Sequence, residues 1–237
     1  MSEFYYNKDY FKIIDDEHKA YWLGFLYADG YVEPIYRKDK IKAFRLELIL
    51  QANDEEMLFL LKSDLNTNAN ITDRIIKSND KEYYAKRIRI NNTELCRDLI
   101  RLGCIPKKSL VLKFPNYSVV PQQFISHFIR GYSDGDGCVS YYENNYIDKR
   151  NNKEYLRKHK VCSFIGNEEF LSSMVIELKK CDILFKFVKK SHSGKATEIR
   201  IEDNTSLIRF YNYLYNNSSI CMLRKKEKFQ EIIKQII

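Results

Sequence analysis

Alternation of apolar and polar residues predicts strands that each have one buried face. Residues 44–51 have the sequence FRLELILQ, in which every second side chain from Phe44 onward is apolar. This two-residue period is typical of a strand that packs one face on a core. Residues 71–91 predict two further strands, and the second of these alternates isoleucine with arginine. Similar strand patterns recur in the second half of the chain, at 138–147, 160–165, 185–190 and 197–201.

Apolar residues three or four positions apart predict amphipathic helices between these strands. The first of them begins at a cap formed by Asn53 or Asp54, and the next spans 93–102. In the second half, a helix is predicted after Asn167 and another around residues 207–214. The helices therefore follow the strands in the same order in both halves.

One nine-residue motif occurs twice. Residues 22–30 have the sequence WLGFLYADG and residues 129–137 have the sequence IRGYSDGDG, so that both contain G-x-x-x-[AG]-D-G. A second repeated sequence follows each copy of the motif, because Ile-Arg-Ile occurs at 88–90 and again at 199–201. Self-similarity at this distance indicates a structural unit that is present twice.

The repeat and the strand pattern together define the expected architecture. Each half has the order α-β-β-α-β-β-α, with the motif at the end of its first helix. We expect an α+β fold of two pseudo-symmetric αββαββα halves, residues 1–115 and 116–237, with an antiparallel sheet in each. Helices would cover one face of each sheet, and polar side chains would occupy the other.

The motif places an aspartate at the end of a closely packed helix. In each copy two small residues stand four positions apart and share a helical face, Gly24 with Ala28 and Gly131 with Gly135. Small residues allow two helices to approach closely, and their ends would then bring Asp29 beside Asp136. Two carboxylates at helix C-termini repel each other, so a divalent cation would stabilise the pair. We expect Gly30 and Gly137 to stop the helices in the left-handed conformation.

Charge and cysteine usage narrow the class of protein. The net charge of +8 favours a polyanionic partner. The six cysteines are scattered singly, without the paired spacing of a zinc site or a disulfide scaffold. The N-terminus has no apolar signal segment, and no run is long enough to span a bilayer. We expect a soluble protein in a reducing cytoplasm or organellar interior, and not a secreted one.

Both copies of the motif resemble the LAGLIDADG motif of homing endonucleases, and the doubled arrangement is similar to the single-chain members of that family. The resemblance covers nearly the whole chain, from about Tyr21 onward. It implies that the two antiparallel sheets form a DNA-binding saddle. It also implies a monomer that hydrolyses one phosphodiester per strand of a long double-stranded DNA target, with Mg²⁺ or another divalent cation such as Mn²⁺ or Ca²⁺. No membrane and no protein partner are implied.

The resemblance also implies roles for individual residues. Asp29 and Asp136 match the acids that bind the metal, and the backbone carbonyls of Ala28 and Gly135 match its further ligands. Gln51, at the end of the second strand, matches a residue near the attacking water. These residues form the expected catalytic and metal site.

Three departures from the family pattern affect the expected site. Tyr27 stands where the motif has its first acid, whereas the second copy keeps Asp134 there; this position does not usually bind the metal. The counterpart of Gln51 in the second half falls near Ile165 or Gly166, which suggests two non-equivalent sites. The active-site lysine of some members has no clean match, and the candidates for its role are Lys86, Arg89 and Arg200.

Basic and polar side chains on the strands predict the DNA-contact surface, because arginine pairs with base edges and lysine neutralises phosphates. The candidates are Arg45, Gln51, Tyr83, Arg87, Arg89 and Asn91 in the first half, and Lys189, Lys190, Lys195 and Arg200 in the second. A basic run follows the closing helix of each half. Lys108 and Lys225 in these runs are expected to form a pair of phosphate clamps.

Two other classes of protein remain alternatives. The first is a DNA- or RNA-binding LAGLIDADG protein, such as a transcription regulator or an intron maturase, that does not cut. The second is a sugar hydrolase with paired acids, which the basic charge fits poorly and which activity without a divalent metal would favour. We expect a free-standing, intron-encoded protein, because neither end of the chain carries the residues that intein splicing needs.

Overall fold

The computed structural model describes residues 5–78, 80–106, 108, 111–189 and 197–236. These residues form seven α-helices and eight β-strands. The chain divides into two compact units, Met1–Gly135 and Asp136–Ile237. Within the described ranges, no helix has the length and apolar character needed to cross a membrane.

The first unit contains one four-stranded antiparallel sheet. Its elements are α1 (Glu17–Ala28), β1 (Gly30–Arg37), β2 (Lys40–Gln51), α2 (Glu55–Asp64), β3 (Ile71–Ser78), β4 (Lys81–Ile90), α3 (Thr93–Arg101) and α4 (Ile125–Asp136), whose last residue belongs to the second unit. The strand order is β1-β2-β4-β3. Leu46 lies opposite Ile90 and Leu48 opposite Ile88, and all four are buried. The alternation predicted from the sequence therefore gives one core face and one polar face.

The second unit repeats this sheet topology. Its elements are β5 (Cys138–Asp148), β6 (Lys153–Gly166), α5 (Glu168–Lys179), β7 (Lys186–Lys189), β8 (Thr197–Ile201), α6 (Asn204–Tyr215) and α7 (Leu223–Lys234). The strand order is β5-β6-β8-β7, with all described pairs antiparallel. Cys162 lies opposite Ile201, and both are buried. The expected α+β fold with one antiparallel sheet per half is confirmed.

Polar side chains begin several of the helices. Asn92 accepts hydrogen bonds from the backbone amides of Glu94 and Leu95 at the start of α3. Asn167 accepts one from Phe170 at the start of α5, as the sequence predicted. The expected cap of α2 is different, because a 3-10 turn at Ala52–Asp54 leads into the helix and Asp54 makes no side-chain capping bond. Such caps satisfy amides that lack a partner within the helix.

Two features of the structure differ from what was expected from the sequence. The second basic run forms the beginning of α7, a helix that was not predicted from the sequence. The compact units divide the chain after Gly135, whereas the sequence repeat suggested a boundary at 115. The helix α4 accounts for this difference, because its residues up to Gly135 pack on α1.

Candidate functional site

The contact between α1 and α4 depends on two glycines. A side-chain carbon at Gly24 would collide with the backbone carbonyl of Phe128, and one at Gly131 would collide with that of Tyr21. The backbones are therefore too close for any other residue at either position without a shift of a helix. This close approach is the one that the small-residue spacing of the motif predicted.

Buried polar contacts fix the two helices along their length. Tyr21 donates a hydrogen bond of 2.9 Å to the carboxylate of Asp134, which is fully buried. In the middle of α4, the guanidinium of Arg130 donates to Glu17, the first residue of α1, at 2.6 Å, and 1% of the arginine side chain is exposed. A buried ion pair of this kind gives a defined register, because breaking it leaves an uncompensated charge.

The motif aspartate of the first unit lies directly after its helix. Asp29 is the cap residue of α1, with its amide donating to the carbonyl of Phe25 at 2.9 Å, and its side chain is exposed. Gly135 packs against Ala28, and a carbon added at Gly135 would lie 3.3 Å from the carboxylate of Asp29. The acid therefore projects from the end of the tightly packed helix contact.

The second motif aspartate occupies the matching position in its own helix. Asp136 is the last residue of α4, and it is exposed. A helix C-terminus carries partial negative charge, so a carboxylate at this position is stabilised by a cation. Both predicted acids thus end a helix and reach solvent.

The expected left-handed conformation of Gly30 and Gly137 is wrong. Among the described glycines, Gly103 has a positive φ, of 103°, and these two do not. Gly30 begins β1, and an added side-chain carbon would lie 2.7 Å from the carbonyl oxygen of Leu26. Position 30 requires glycine because the chain passes close to helix α1 there, and not because its backbone adopts a left-handed conformation.

One lysine in each unit contacts the carbonyl of the motif glycine. Lys108, with 8% of its surface exposed, donates to the carbonyl of Gly30. Lys225, which is half-buried in α7, donates to the carbonyl of Gly137 at 2.8 Å. The sequence placed these lysines on a phosphate-binding surface; in the structure each lies beside the residue that follows a motif aspartate. The contacts join residues 78 and 88 positions apart, so sequence spacing could not reveal them.

The residue that precedes Ala-Asp-Gly in the first motif, or Gly-Asp-Gly in the second, has a structural role. Tyr27 is buried and donates to the carbonyl of Leu102, and burial raises the pKa of its hydroxyl far above the usual range. Asp134, its counterpart, is buried against Tyr21. Tyrosine at position 27 therefore provides a buried hydrogen-bonding group where the second copy of the motif has a buried carboxylate.

Gln51 ends β2 on the polar face of the first sheet. It lies opposite Ala85 and is exposed. In the second sheet, Ser163 lies opposite Arg200 as Glu47 lies opposite Arg89. This register makes Asn167 the counterpart of Gln51, and not Ile165 or Gly166 as the sequence suggested. The side chain of Asn167 accepts from the amide of Phe170, so it has a structural partner.

The three candidates for the role of the active-site lysine are held in ion pairs. Lys86 lies on the core side of β4, opposite Leu50, and pairs with Asp73 at 2.8 Å and Glu55 at 3.3 Å. Hydrogen bonds to these carboxylates raise its pKa. Arg89 binds Glu47, and Arg200 binds Glu198 at 2.9 Å.

The polar face of the first sheet is a network of charges. Arg45 binds Glu33, and this hydrogen bond lowers the pKa of the carboxyl and raises that of the guanidinium. Arg87 and Arg89 both approach Glu47. Tyr83 and Asn91 are exposed. Of the second-half candidates, Lys189 ends β7, whereas Lys190 and Lys195 lie outside the described residues.

The β5–β6 hairpin carries a ladder of polar side chains that was not predicted from the sequence. The rings of Tyr142 and His159 stack with centroids 4.7 Å apart. His159 hydrogen-bonds Asn144 at 2.6 Å, and the guanidinium of Arg157 lies 3.6 Å from the ring centre of Tyr146. By strand register these side chains share the face of Arg200. The alternation of Tyr142, Asn144 and Tyr146 was the signal available in the sequence.

The donors of the chain fit a cation that keeps part of its water shell. Residues 5–236, apart from the gaps given above, contain no cluster of three or more His, Cys, Asp or Glu side chains that could hold a metal. Exposed aspartates and backbone carbonyls are hard oxygen donors, which Mg²⁺ and Ca²⁺ prefer. Such an ion would complete its shell with water and phosphate oxygens.

No family model matches the sequence. Solved structures of LAGLIDADG homing endonucleases have the same fold. I-SmaMI, bound to an uncleaved DNA target in the presence of calcium ions, aligns over 92% of this chain and 90% of its own, with a TM-score of 0.62 and 11% identity. The I-LtrWI LAGLIDADG homing endonuclease bound to target DNA aligns over 97% and 91%, with a TM-score of 0.60 and 13% identity. The resemblance seen in the motifs is therefore confirmed at the level of the fold.

A curated relative from Methanocaldococcus jannaschii also matches. It is described as a probable translation initiation factor IF-2 and is 26% identical over 230 residues. The match covers 90% of this chain and 17% of that protein. This chain thus spans less than a fifth of the relative's length.

Proposed function

We propose that this chain is a LAGLIDADG homing endonuclease that hydrolyses one phosphodiester in each strand of a long DNA target with a divalent cation, Mg²⁺ first among them. The observation that carries the proposal is the packing of α1 on α4 through Gly24 and Gly131, with an exposed aspartate at the end of each helix. Two helix ends with one carboxylate each match the two cuts that a duplex requires.

Asp29 and Asp136 would hold the cation, with the backbone carbonyls of Ala28 and Gly135 as further ligands. Bound there, the ion would supply Lewis-acid stabilisation of the phosphate and a more acidic water. Gln51 would orient the attacking water through its amide, since it ends β2 on the polar face. Two carboxylates and two carbonyls would leave coordination positions of such an ion for water and for phosphate oxygens of the DNA.

Lys108 and Lys225 are better placed than Lys86, Arg89 or Arg200 to provide the basic group of the site. Each donates to the carbonyl that follows a motif aspartate, whereas the other three are held by carboxylates on the sheets. An ammonium group beside the reacting phosphate would stabilise the negative charge that develops there. We therefore reassign these two lysines from phosphate clamps to the catalytic centre.

The polar faces of the two sheets would bind the DNA. Arg45, Arg87 and Arg89 in the first unit and Arg200 in the second can reach base edges or phosphates, and the β5–β6 ladder adds Asn144 and Arg157. The net charge of +8 supports a polyanionic partner. The DNA-bound state of the I-SmaMI and I-LtrWI structures is consistent with this use of the fold.

A monomer and an intron-encoded origin, both expected above, are also part of the proposal. The match to an initiation factor does not extend its activity to this chain, since it covers 17% of that protein. The compartment expected from the cysteine pattern is likewise a proposal.

The decisive experiment is plasmid cleavage of the host locus without its intervening element, in Mg²⁺ and in EDTA. We expect double-strand breaks in Mg²⁺ only. Asp29→Asn and Asp136→Asn are each expected to slow cutting by about a hundredfold or more, because each removes a ligand of the metal. Asp182→Asn makes the same chemical change at an exposed loop residue, and it should cut like the wild type.

Other outcomes separate the alternatives. Tight binding of the target without cleavage in Mg²⁺ would favour the regulator or maturase. Hydrolysis that is unaffected by EDTA would contradict the metal-dependent mechanism.

A further inference from the structure

A cavity of about 320 Å³ lies in the first unit, where β4 ends beside the start of β3. Two arginines line it, Arg87 and Arg89, together with hydroxyl and amide side chains, and none of the described lining residues is a carboxylate. The hydroxyl and amide side chains are Tyr6, Thr67, Thr72, Asn70 and Asn91, and Ala69 and Ile90 complete the lining. Its lining is therefore rich in hydrogen-bond donors and positive in charge.

Arg87 is the unusual member of this lining. Its Nε and Nη1 atoms are buried, and neither has a hydrogen-bond partner among the described residues. Its nearest carboxylate is Glu47, at 3.8 Å from Nη1. The same Glu47 oxygen accepts the hydrogen bond of Arg89, so one carboxylate faces two guanidinium groups. A buried donor left without a partner is costly, and the surplus positive charge adds to that cost.

The second unit shows that the fold does not require this surplus. By strand register, Arg200 of β8 corresponds to Arg89, and Glu198 corresponds to Arg87. Arg200 is held by Glu198 through two hydrogen bonds, of 2.9 and 3.0 Å. The equivalent position therefore carries a carboxylate that neutralises its neighbour in one unit, and in the other it carries a cation whose Nε and Nη1 have no hydrogen-bond partner among the described residues.

We propose that this cavity is a phosphate-binding pocket in which Arg87 takes one backbone phosphate of the bound DNA. Assignment to DNA rests on the proposed function, whereas recognition of a phosphate group does not. A phosphate offers the acceptor oxygens that Nε and the Nη groups lack, in a geometry that suits a guanidinium. The volume also fits a phosphate with its attached sugar, since small-ligand sites begin near 300 Å³.

The pocket would make the two halves of the DNA interface unequal. A phosphate contact adds affinity that depends on salt and not on base sequence. The first unit would therefore hold its side of the target more firmly at low ionic strength. The second unit, with its Glu198–Arg200 pair, has no surplus charge at the matching position.

The first test uses the free protein and inorganic phosphate. Unfolding temperature is measured against potassium phosphate and against potassium chloride at equal ionic strength, for the wild type, Arg87→Met and Arg97→Met. Arg97 is an exposed arginine of α3 in the same unit, so its variant matches the loss of charge. General stabilisation by phosphate is common to all three and cancels in the comparison.

We expect a saturable phosphate response in the wild type and in Arg97→Met, and one at least about tenfold weaker in Arg87→Met. In chloride, Arg87→Met should unfold at the same temperature as the wild type or higher, because it removes unpaired buried donors. Arg87→Lys should recover part of the phosphate response through its charge. A lower unfolding temperature in chloride with an unchanged phosphate response would overturn the proposal.

The second test locates the phosphate in the DNA complex. The affinity for duplex DNA is measured in Ca²⁺ across a range of salt concentrations. Arg87→Met should reduce the slope of log K against log salt by about 0.9, the value for one phosphate. An unchanged slope beside a lost phosphate response would overturn the DNA assignment and leave free phosphate esters as the ligand. Failure of the endonuclease proposal would appear separately, as absence of cleavage with an intact phosphate response.

Discussion

His127 is a residue whose surroundings favour its neutral form. Burial is the main cause that lowers the pKa of its imidazole, and the guanidinium of Arg130, 2.8 Å from Nδ1, lowers it further. The nearby Glu17 acts in the opposite direction. The unfolded chain therefore binds a proton at a higher pH than the folded protein does. Stability that depends on neutral His127 is present above the ordinary histidine pKa and is lost as pH falls through it.

Replacement of this histidine should change the pH dependence of unfolding. We expect the free energy of unfolding of the wild type to fall more between pH 7.5 and pH 5.5 than that of His127→Gln, because glutamine takes up no proton. Urea unfolding at both pH values measures this difference. Parallel loss of stability in the two proteins would show that His127 does not titrate differently on unfolding.

The reactivity of the cysteines provides a second test, which concerns the burial of individual side chains. Burial raises the pKa of Cys96 to about 12 and that of Cys104 to about 11, and it raises the pKa of Cys162 as well. Cys138 and Cys181 are exposed. Because the thiolate is the reactive form, we expect a disulfide reagent to label these two first and all six after denaturation.

Serine variants identify the fast thiols. Cys138→Ser and Cys181→Ser should each remove one fast group, and the double variant should have none. Fast labelling that persists in the double variant would mean that half-buried Cys221 reacts, or that a buried thiol becomes exposed by local opening.

The role of a residue could be predicted from the sequence only where the residue belongs to a recognisable motif. Asp29 and Asp136 were predicted to bind the metal because their motif occurs twice, and this role stays a prediction. The contacts of Lys108 and Lys225 with the motif carbonyls could not be found, since they depend on how distant segments meet. Arg87 looked like any other basic strand residue, and its lack of a partner is visible only when Glu47 and Arg89 are placed beside it.

Among the secondary-structure elements, α1 and α4 are the most constrained by their contact. Gly131 faces the carbonyl of Tyr21 without room for a methyl group. Alanine is a better helix former than glycine by about 1 kcal/mol, so helix propensity alone predicts that Gly131→Ala is stabilising. Overpacking predicts the opposite sign, with a loss of about 1–3 kcal/mol.

We expect overpacking to decide the result, because the opposing atom is backbone and cannot rotate away. The measurement is denaturant unfolding of Gly131→Ala and of Ser126→Ala, a substitution elsewhere in α4 that should stay within about 0.5 kcal/mol of the wild type. Stabilisation by Gly131→Ala would indicate that the helices separate easily.

The strands that pack on a core were predicted well, and so was β5, whereas the exposed beginning of β6 was not. Residues 44–51 have a buried face, which imposes the two-residue period. The beginning of β6 is exposed on both sides, so nothing imposes a period there, and the strand begins at Lys153 instead of near 160. The helix α7 was missed for a related reason, since its first turns are a run of charged residues with few apolar positions.

For the whole molecule, the tandem repeat predicted the fold class, whereas the boundary between the two compact units could be located only in the structure. The same fold occurs in I-SmaMI and I-LtrWI at 11% and 13% identity, because sheet order and buried faces depend on pattern more than on particular residues. The compact units divide within α4, because helix packing assigns that helix to the unit it contacts, whichever half of the repeat encodes it.

Metal binding should appear as added stability of the whole protein. A ligand that binds only the folded state raises stability by mass action, and Asp29 with Asp136 would be available only when the two helices are folded. We expect Ca²⁺ to raise the unfolding temperature of the wild type above its value in EDTA, and we expect Asp29→Asn and Asp136→Asn to lose this increase. The exposed-loop variant Asp182→Asn should keep it. An equal increase in all four proteins would place the stabilising ion elsewhere, because neither motif carboxylate would then be needed to bind it.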